Sequence, residues 1–72
     1  MDQAINLLDV VALTEDLPER GLRRGQVGTV VESLDPDVFE VEFSDGQGRA
    51  YAILSLHADQ LMRLWYQPVP AQ

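Results

Sequence analysis

Residues 39–55 read FEVEFSDGQGRAYAILS. Phe39, Val41 and Phe43 alternate with Glu40 and Glu42, the period-two pattern of a half-buried strand. DGQG (45–48) supplies turn residues that take positive φ without strain, and RAYAILS (49–55) returns, so the stretch predicts a β-hairpin. With DGQG as a four-residue loop, Ser44 faces Arg49, Phe43 faces Ala50, Glu42 faces Tyr51, Val41 faces Ala52 and Glu40 faces Ile53. One face then carries Phe39, Val41, Phe43, Ala50, Ala52 and Leu54, large against small. The other carries Glu40, Glu42, Tyr51 and Ile53.

Working outward, DPDV (35–38) is a turn with Pro36 placed to set φ. It is preceded by a strand at QVGTVVESL (26–34), in which Gly28 marks a bulge or a close backbone approach. If that turn brings Val31 opposite Val41, Glu32 faces Glu40 and Val30 faces Glu42. A one-residue slip is rejected because it would bury the Glu32 carboxylate. LLDVVALT (7–14) reads as a first strand. EDLPERGLRRG (15–25) reads as a long excursion rather than an element. LHADQ (56–60) suits a single 3₁₀ turn, and LMRLW (61–65) a short last strand.

The expected architecture is all-β: a small five-stranded SH3-like barrel with a 3₁₀ turn before the last strand. Closing the sheet removes unpaired edges. An open meander whose edge pairs with a second copy is the competing arrangement. Residues 1–66 form one domain, and 67–72, with two prolines, an extended tail.

Composition bounds the chemistry. The chain has 72 residues, no cysteine and a single histidine, His57. Thiol chemistry, disulfides and the usual structural zinc sites are thereby excluded, so the apolar core alone must stabilise a small domain. Twelve acidic residues face five basic ones, all arginine, for a formal net charge of −7. That sign opposes general nucleic-acid binding and favours encounters with basic partners. No run approaches the length of a membrane span, and MDQAINLLD lacks the basic start of a secretory signal. A soluble, cytoplasmic protein is expected.

The run LPERGLRRGQVGTVVE, with Gly21, Gly25 and Gly28 ahead of Val30 and Val31, resembles the turn-then-strand core of KOW-type and other SH3-like barrels. Together with LLDVVALTEDLPERGL, EVEFSDGQGRAYA and LHADQLMRL, it is similar over residues 7–64 to a family of small bacterial proteins, common in cyanobacteria and classed as a domain of unknown function. That family carries no assigned reaction. Its genes sometimes neighbour small toxin-like genes, which implies an antitoxin- or immunity-like role. The KOW resemblance implies RNA or ribosome binding, from which this chain departs in having no lysine and an acidic balance.

The glycine-rich run is not a phosphate cradle. No lysine follows it, and it leads into a strand rather than a helix. Arg20, Arg23 and Arg24 are the candidate nucleic-acid contacts, with local pairing to Glu15, Asp16 and Glu19 as the plainer expectation. His57 beside Asp59 could serve as a general base, but without an activated nucleophile or a deep pocket no catalytic residue is assigned. DPDV lacks the ligand count of a calcium loop, so no metal or cofactor is expected.

The strongest surface is apolar with an acidic rim: Glu32, Glu40, Glu42, Tyr51 and Ile53, together with Val30. Such a surface fits a basic protein partner, unless the N-terminal segment or the tail bearing Trp65, Tyr66 and Val69 covers it. The expected function is a non-enzymatic protein-interaction module. A KOW-like RNA- or ribosome-associated module and a structural homo-oligomer are the alternatives.

Overall fold

A computed structural model of the chain describes residues 4–65. Five strands, β1 (Val10–Leu13), β2 (Val27–Asp35), β3 (Val38–Ser44), β4 (Ala50–His57) and β5 (Leu61–Arg63), form one antiparallel sheet in the order β4-β3-β2-β1-β5. A 3₁₀ turn at Ala58–Gln60 precedes β5, as expected. The β1–β2 excursion holds a second one, Pro18–Arg20, which the sequence reading did not assign. The strand at 49–55 extends two residues further, to His57, and Leu56 joins the core. The expected tail lies outside the described residues.

Topology forces the sheet to roll. Its two outermost strands, β4 and β5, are joined only by Ala58–Gln60. Four gaps of about 4.8 Å would set the edges of a flat five-stranded sheet about 19 Å apart. The chain from His57 to Leu61 spans at most about 14 Å. The sheet therefore curls until its edges approach at this turn, and one face becomes the interior. That interior holds Val11, Leu13, Val30, Val41 and Phe43, each at most 2% exposed, with Phe39, Leu54, Leu56 and Leu61 around them. Each fully buried side chain of this kind contributes roughly 1.5–3 kcal/mol relative to exposure. Among the described residues no polar or charged side chain is buried.

Gly28 is a point of close approach between β2 and β3. It lies opposite Phe43, and a Cβ there would stand 2.8 Å from Val41 Cγ1, 2.9 Å from the Glu42 carbonyl oxygen and 3.0 Å from Phe43 Cδ2. The expected close approach is present, while the ladder irregularities of β2 fall further along.

The registers differ from those expected. Across β2–β3, Glu32 does face Glu40, but Val30 rather than Val31 faces Val41, and the ladder shifts between Val30 and Glu32. Val31 is the extra residue of a bulge. The bulge keeps both Val30 in the core and Glu32 outside, which unbroken alternation cannot do. Val30 is thus fully buried and does not belong to the outer face, where Val31 is exposed instead. A second shift leaves Leu34 exposed beside Ser33.

Across β3–β4 the expected pairs are displaced by two residues: Phe43 faces Ala52, Glu42 faces Ile53, Val41 faces Leu54 and Glu40 faces Ser55. The connection turns one residue tighter than expected. Asp45 N–H donates to the Arg49 carbonyl at 2.8 Å and Gly48 N–H to the Asp45 carbonyl at 3.0 Å, with Gly48 at φ 83. This is a three-residue loop closed by a left-handed glycine. It sets Ser44 opposite Ala50, and a further shift between Phe43 and Ser44 leaves Tyr51 as the extra residue. Ala50 is consequently exposed rather than inward.

Candidate functional site: an acidic face and an arginine loop

The outer face of β2–β3–β4 is built by alternation. Because Phe39, Val41 and Phe43 point inward, Glu40 and Glu42 point outward, and the ladder partners follow. Thr29, Glu42 and Ile53 form one cross-strand row, and Glu32, Glu40 and Ser55 the next. Four of the five residues singled out from the sequence, Glu32, Glu40, Glu42 and Ile53, therefore lie on one face, while Tyr51, the extra residue of the β4 bulge, has no ladder partner and borders them exposed. The cross-strand partners within it are Glu42–Ile53 and Glu40–Ser55 in place of Glu42–Tyr51 and Glu40–Ile53. Tyr51 is 51% exposed and Ile53 49%. Among the described residues the Glu32, Glu40 and Glu42 carboxylates make no hydrogen bond or ion pair, whereas the arginines of the sheet and its hairpin are engaged, Arg49 with Asp45 at 3.6 Å and Arg63 with Asp9 at 3.3 Å.

The described part of the N-terminal segment does not account for covering this face. Ile5 packs against the core cluster, and the Leu8 N–H donates to the Val30 carbonyl. Trp65 is 68% exposed, with the Arg63 guanidinium 4.4 Å from its ring centre. Residues 1–3, Tyr66 and Val69 lie outside the described residues.

The excursion between β1 and β2 is an ordered hairpin. Leu17 and Leu22 exchange backbone hydrogen bonds at 2.9 and 3.1 Å, and both side chains are buried in the core. The Gly25 N–H donates to the Leu13 carbonyl at 2.8 Å. Arg20, Arg23 and Arg24 stand exposed on this loop.

The expected pairing of these arginines with the loop's own acids is not found: none of the three makes an ion pair among the described residues. Two of the acids are used otherwise. Asp16 Oδ1 accepts from the Arg24 backbone N–H at 2.8 Å, and Glu15 accepts from Gln60 Nε2 at 3.1 Å. Backbone amides near a turn compete well for a short carboxylate.

Gln26, which the sequence reading passed over, joins the loop to the acidic face. Its Oε1 accepts from the Arg23 N–H at 2.6 Å and its Nε2 donates to the Tyr51 hydroxyl at 2.9 Å. No local pattern announces a contact between residues 25 positions apart. A further concave feature is an open cleft lined by Asp37, His57, Ala58 and Asp59. No hydrogen bond couples the His57 ring to either carboxylate among the described residues. Nor do the described residues hold a group of three or more His, Cys, Asp or Glu suited to a metal ion. None of their helices is long and apolar enough to cross a membrane.

A search of curated proteins and a search of solved structures each returned no match to this chain. One family model matches residues 7–63, a span running from just ahead of β1 to the end of β5. The chain belongs to the family described as a domain of unknown function (DUF4926).

Proposed function

We propose that this chain is a non-enzymatic protein-interaction module, an SH3-like barrel whose outer β2–β3–β4 face docks a basic protein. One observation carries the reading: three carboxylates, Glu32, Glu40 and Glu42, share a face with half-exposed Ile53, bordered by half-exposed Tyr51, and have no cation among the described residues. Two of them face each other directly, and like charges so placed repel. A lysine or arginine from a partner relieves that repulsion, while Tyr51 and Ile53 supply apolar area. In a bacterial cell an antitoxin- or immunity-like role against a basic protein is the sharpest form of this reading.

The test is capture from bacterial lysate at low salt with the native chain and with E40R/E42R as parallel baits. A discrete basic protein held by the first and lost from the second supports the assignment. Equal capture by both removes this surface from consideration. Circular dichroism establishes that the variant is folded.

A second reading is favoured by the arginine loop: Arg20, Arg23 and Arg24 are exposed and lack ion pairs among the described residues. An RNA- or ribosome-associated module would use these groups on phosphates, and its binding would fall steeply with salt. Absence of RNA binding at low salt eliminates it.

A further inference from the structure

Strand β4, Ala50–His57, is an outer strand of the sheet, and among the described residues no strand pairs with its free edge. The Ala58–Gln60 turn joins the two edges of the sheet, but β4 and β5 are not hydrogen-bonded neighbours. Natural edges are blunted by shortness, charge, proline or a bulge. β5 is three residues long. β4 has eight, AYAILSLH, with no acid, lysine, arginine, proline or glycine, although 24% of the chain is charged. Its one irregularity, at Tyr51, leaves residues 52–57 in unbroken register with β3.

The ladder settles which backbone groups of β4 face outward. Along an antiparallel pair, residues that exchange hydrogen bonds alternate with residues whose N–H and C=O turn away. The Ala58 N–H donates to the Asp37 carbonyl at 2.8 Å. Counting back along the register makes Leu56–Phe39 and Leu54–Val41 the bonded pairs, and turns the backbone of His57, Ser55 and Ile53 away from β3. His57 fits, because its N–H donates to Gln60 Oε1 at 2.9 Å, which closes that end of the edge. The N–H and C=O of Ile53 and Ser55 have no partner among the described residues.

We infer that β4 pairs antiparallel with β4 of a second copy of this chain about a two-fold axis, joining two sheets edge to edge. One register satisfies every one of these free groups. It sets Ile53 of each copy opposite Ser55 of the other, with the axis between the two Leu54 residues. Ile53 opposite Ile53 would bring Ser55 against the Tyr51 bulge, and Ser55 opposite Ser55 would bring Ile53 against the His57 N–H that Gln60 already holds. A two-fold contact demands a self-matching patch, and this edge is one.

Charge selects the same occupant. With a net charge of −7 the chain repels its own copy over most of its surface, but this edge brings no charge into the contact and offers a basic partner no carboxylate. At the strand ends, antiparallel order sets the Arg49–Asp45 pair of one copy toward Asp59 of the other, whereas parallel order would set Asp59 toward Asp59. The acidic outer faces stay exposed, so the pairing goes beyond the docking reading and does not depend on it.

Sedimentation velocity and amide exchange on the full chain, at concentrations up to millimolar and about 0.15 M salt, test it. The native chain is expected to dimerise, and the Ile53 and Ser55 amides should pass from unprotected to protected as concentration rises. Those of Leu54 and Leu56 should be protected throughout. Ser55→Pro removes an edge N–H without touching a bond to β3, a place where an edge strand tolerates proline. It should weaken dimerisation at least about tenfold, since a hydrogen bond is lost from each copy. E40R/E42R should dimerise as the native chain does, so failure of the docking reading and failure of the dimer give different results.

The chain has no cysteine, so introduced thiols report the register. An equimolar mixture of Ile53→Cys and Ser55→Cys should cross-link faster than either variant alone, because opposed Cα atoms stand about 5.5 Å apart and diagonal ones about 7–8 Å.

A native chain that stays monomeric to millimolar concentration overturns the inference. Free exchange at Ile53 and Ser55 would then mean a bare edge, and protection there would mean that the chain itself covers it. A dimer that Ser55→Pro leaves intact overturns it too, as does cross-linking that is as fast in either cysteine variant alone. Should Ser55→Pro fail to fold by circular dichroism, the exchange and cross-linking results decide.

Discussion

Glu32 and Glu40 stand directly opposite each other across the β2–β3 ladder, and neither carboxylate has a cation beside it among the described residues. Cross-strand like charges cost roughly 0.2–1 kcal/mol relative to a neutral pair. Glu32→Thr removes the repulsion and places a good strand former at an exposed site. The variant should unfold at a higher urea midpoint with an unchanged slope, a gain of about 0.2–1 kcal/mol. Added salt should narrow the gap by screening the native pair. A lower midpoint for the variant would refute the view that this pair is a strain retained for binding.

The bulge at Val31 separates two adjacent valines that the sequence makes look interchangeable. Val30 is fully buried against Val41, whereas Val31 is 38% exposed. Val30→Ala should cost about 2 kcal/mol through lost burial and the cavity it leaves. Val31→Ala should stay within roughly 0.5–1 kcal/mol, since only strand propensity and a partly exposed side chain are lost. Chemical denaturation of the two variants side by side decides the matter. Equal losses would mean that the bulge is misplaced.

The hairpin shows why the faces were legible when the register was not. Phe39, Val41 and Phe43 alternate with glutamates so regularly that the inward face of β3 follows from period alone. The partner strand moved by one residue at the three-residue loop and by one more at Tyr51. Two is even, so beyond the bulge Ala52 and Leu54 stayed inward and Ile53 outward while every expected cross-strand pairing changed; Ala50, ahead of the bulge, moved only one step and lost its inward place. In β2, a single bulge is odd, and it exchanged the expected places of Val30 and Val31. Asp45 accounts for the tighter loop, and its role depends on hydrogen bonds rather than on hydrophobic pattern. The Gln26–Tyr51 contact was equally hidden, because the rolled sheet creates it.

Gly28 should tolerate no side chain. Its Cβ would press on the Glu42 carbonyl oxygen at 2.9 Å as well as on Val41 and Phe43, and the backbone atom cannot swing away. Gly28→Ala should destabilise the domain by about 1–3 kcal/mol, the usual cost of overpacking. A substitution with no effect on the thermal midpoint would show that β2 and β3 approach less closely here.

Asp45 holds the β3–β4 loop with one carboxylate oxygen, which accepts from the Gln47 N–H at 2.8 Å and the Arg49 N–H at 3.0 Å. Asp45→Ala should cost about 1 kcal/mol and speed amide exchange at both positions. Asp45→Asn retains an acceptor oxygen and should recover part of the loss. If the asparagine variant is as damaged as the alanine one, charge rather than the accepted hydrogen bonds matters, and the ion pair to Arg49 becomes the better account.

Leu22 links the core to the arginine loop, because it is 2% exposed and directly precedes Arg23. Its backbone exchanges hydrogen bonds with Leu17, so burying these two side chains anchors the Pro18–Arg20 turn between them. Leu22→Ala should cost about 2–5 kcal/mol, a large share of the stability of so small a domain. Leu22→Val should cost less and leave a folded protein for exchange measurements. In that variant the Leu17 and Leu22 amides should lose protection before those of β3, because the loop opens while the sheet persists. Leu34→Ala, at a residue 41% exposed, serves as the control and should change stability by no more than about 0.5–1 kcal/mol. Protection lost uniformly through the sheet in Leu22→Val would instead mean that the loop and the sheet unfold as one unit. The arginines would then hold their place by the stability of the whole domain rather than by a separate anchor.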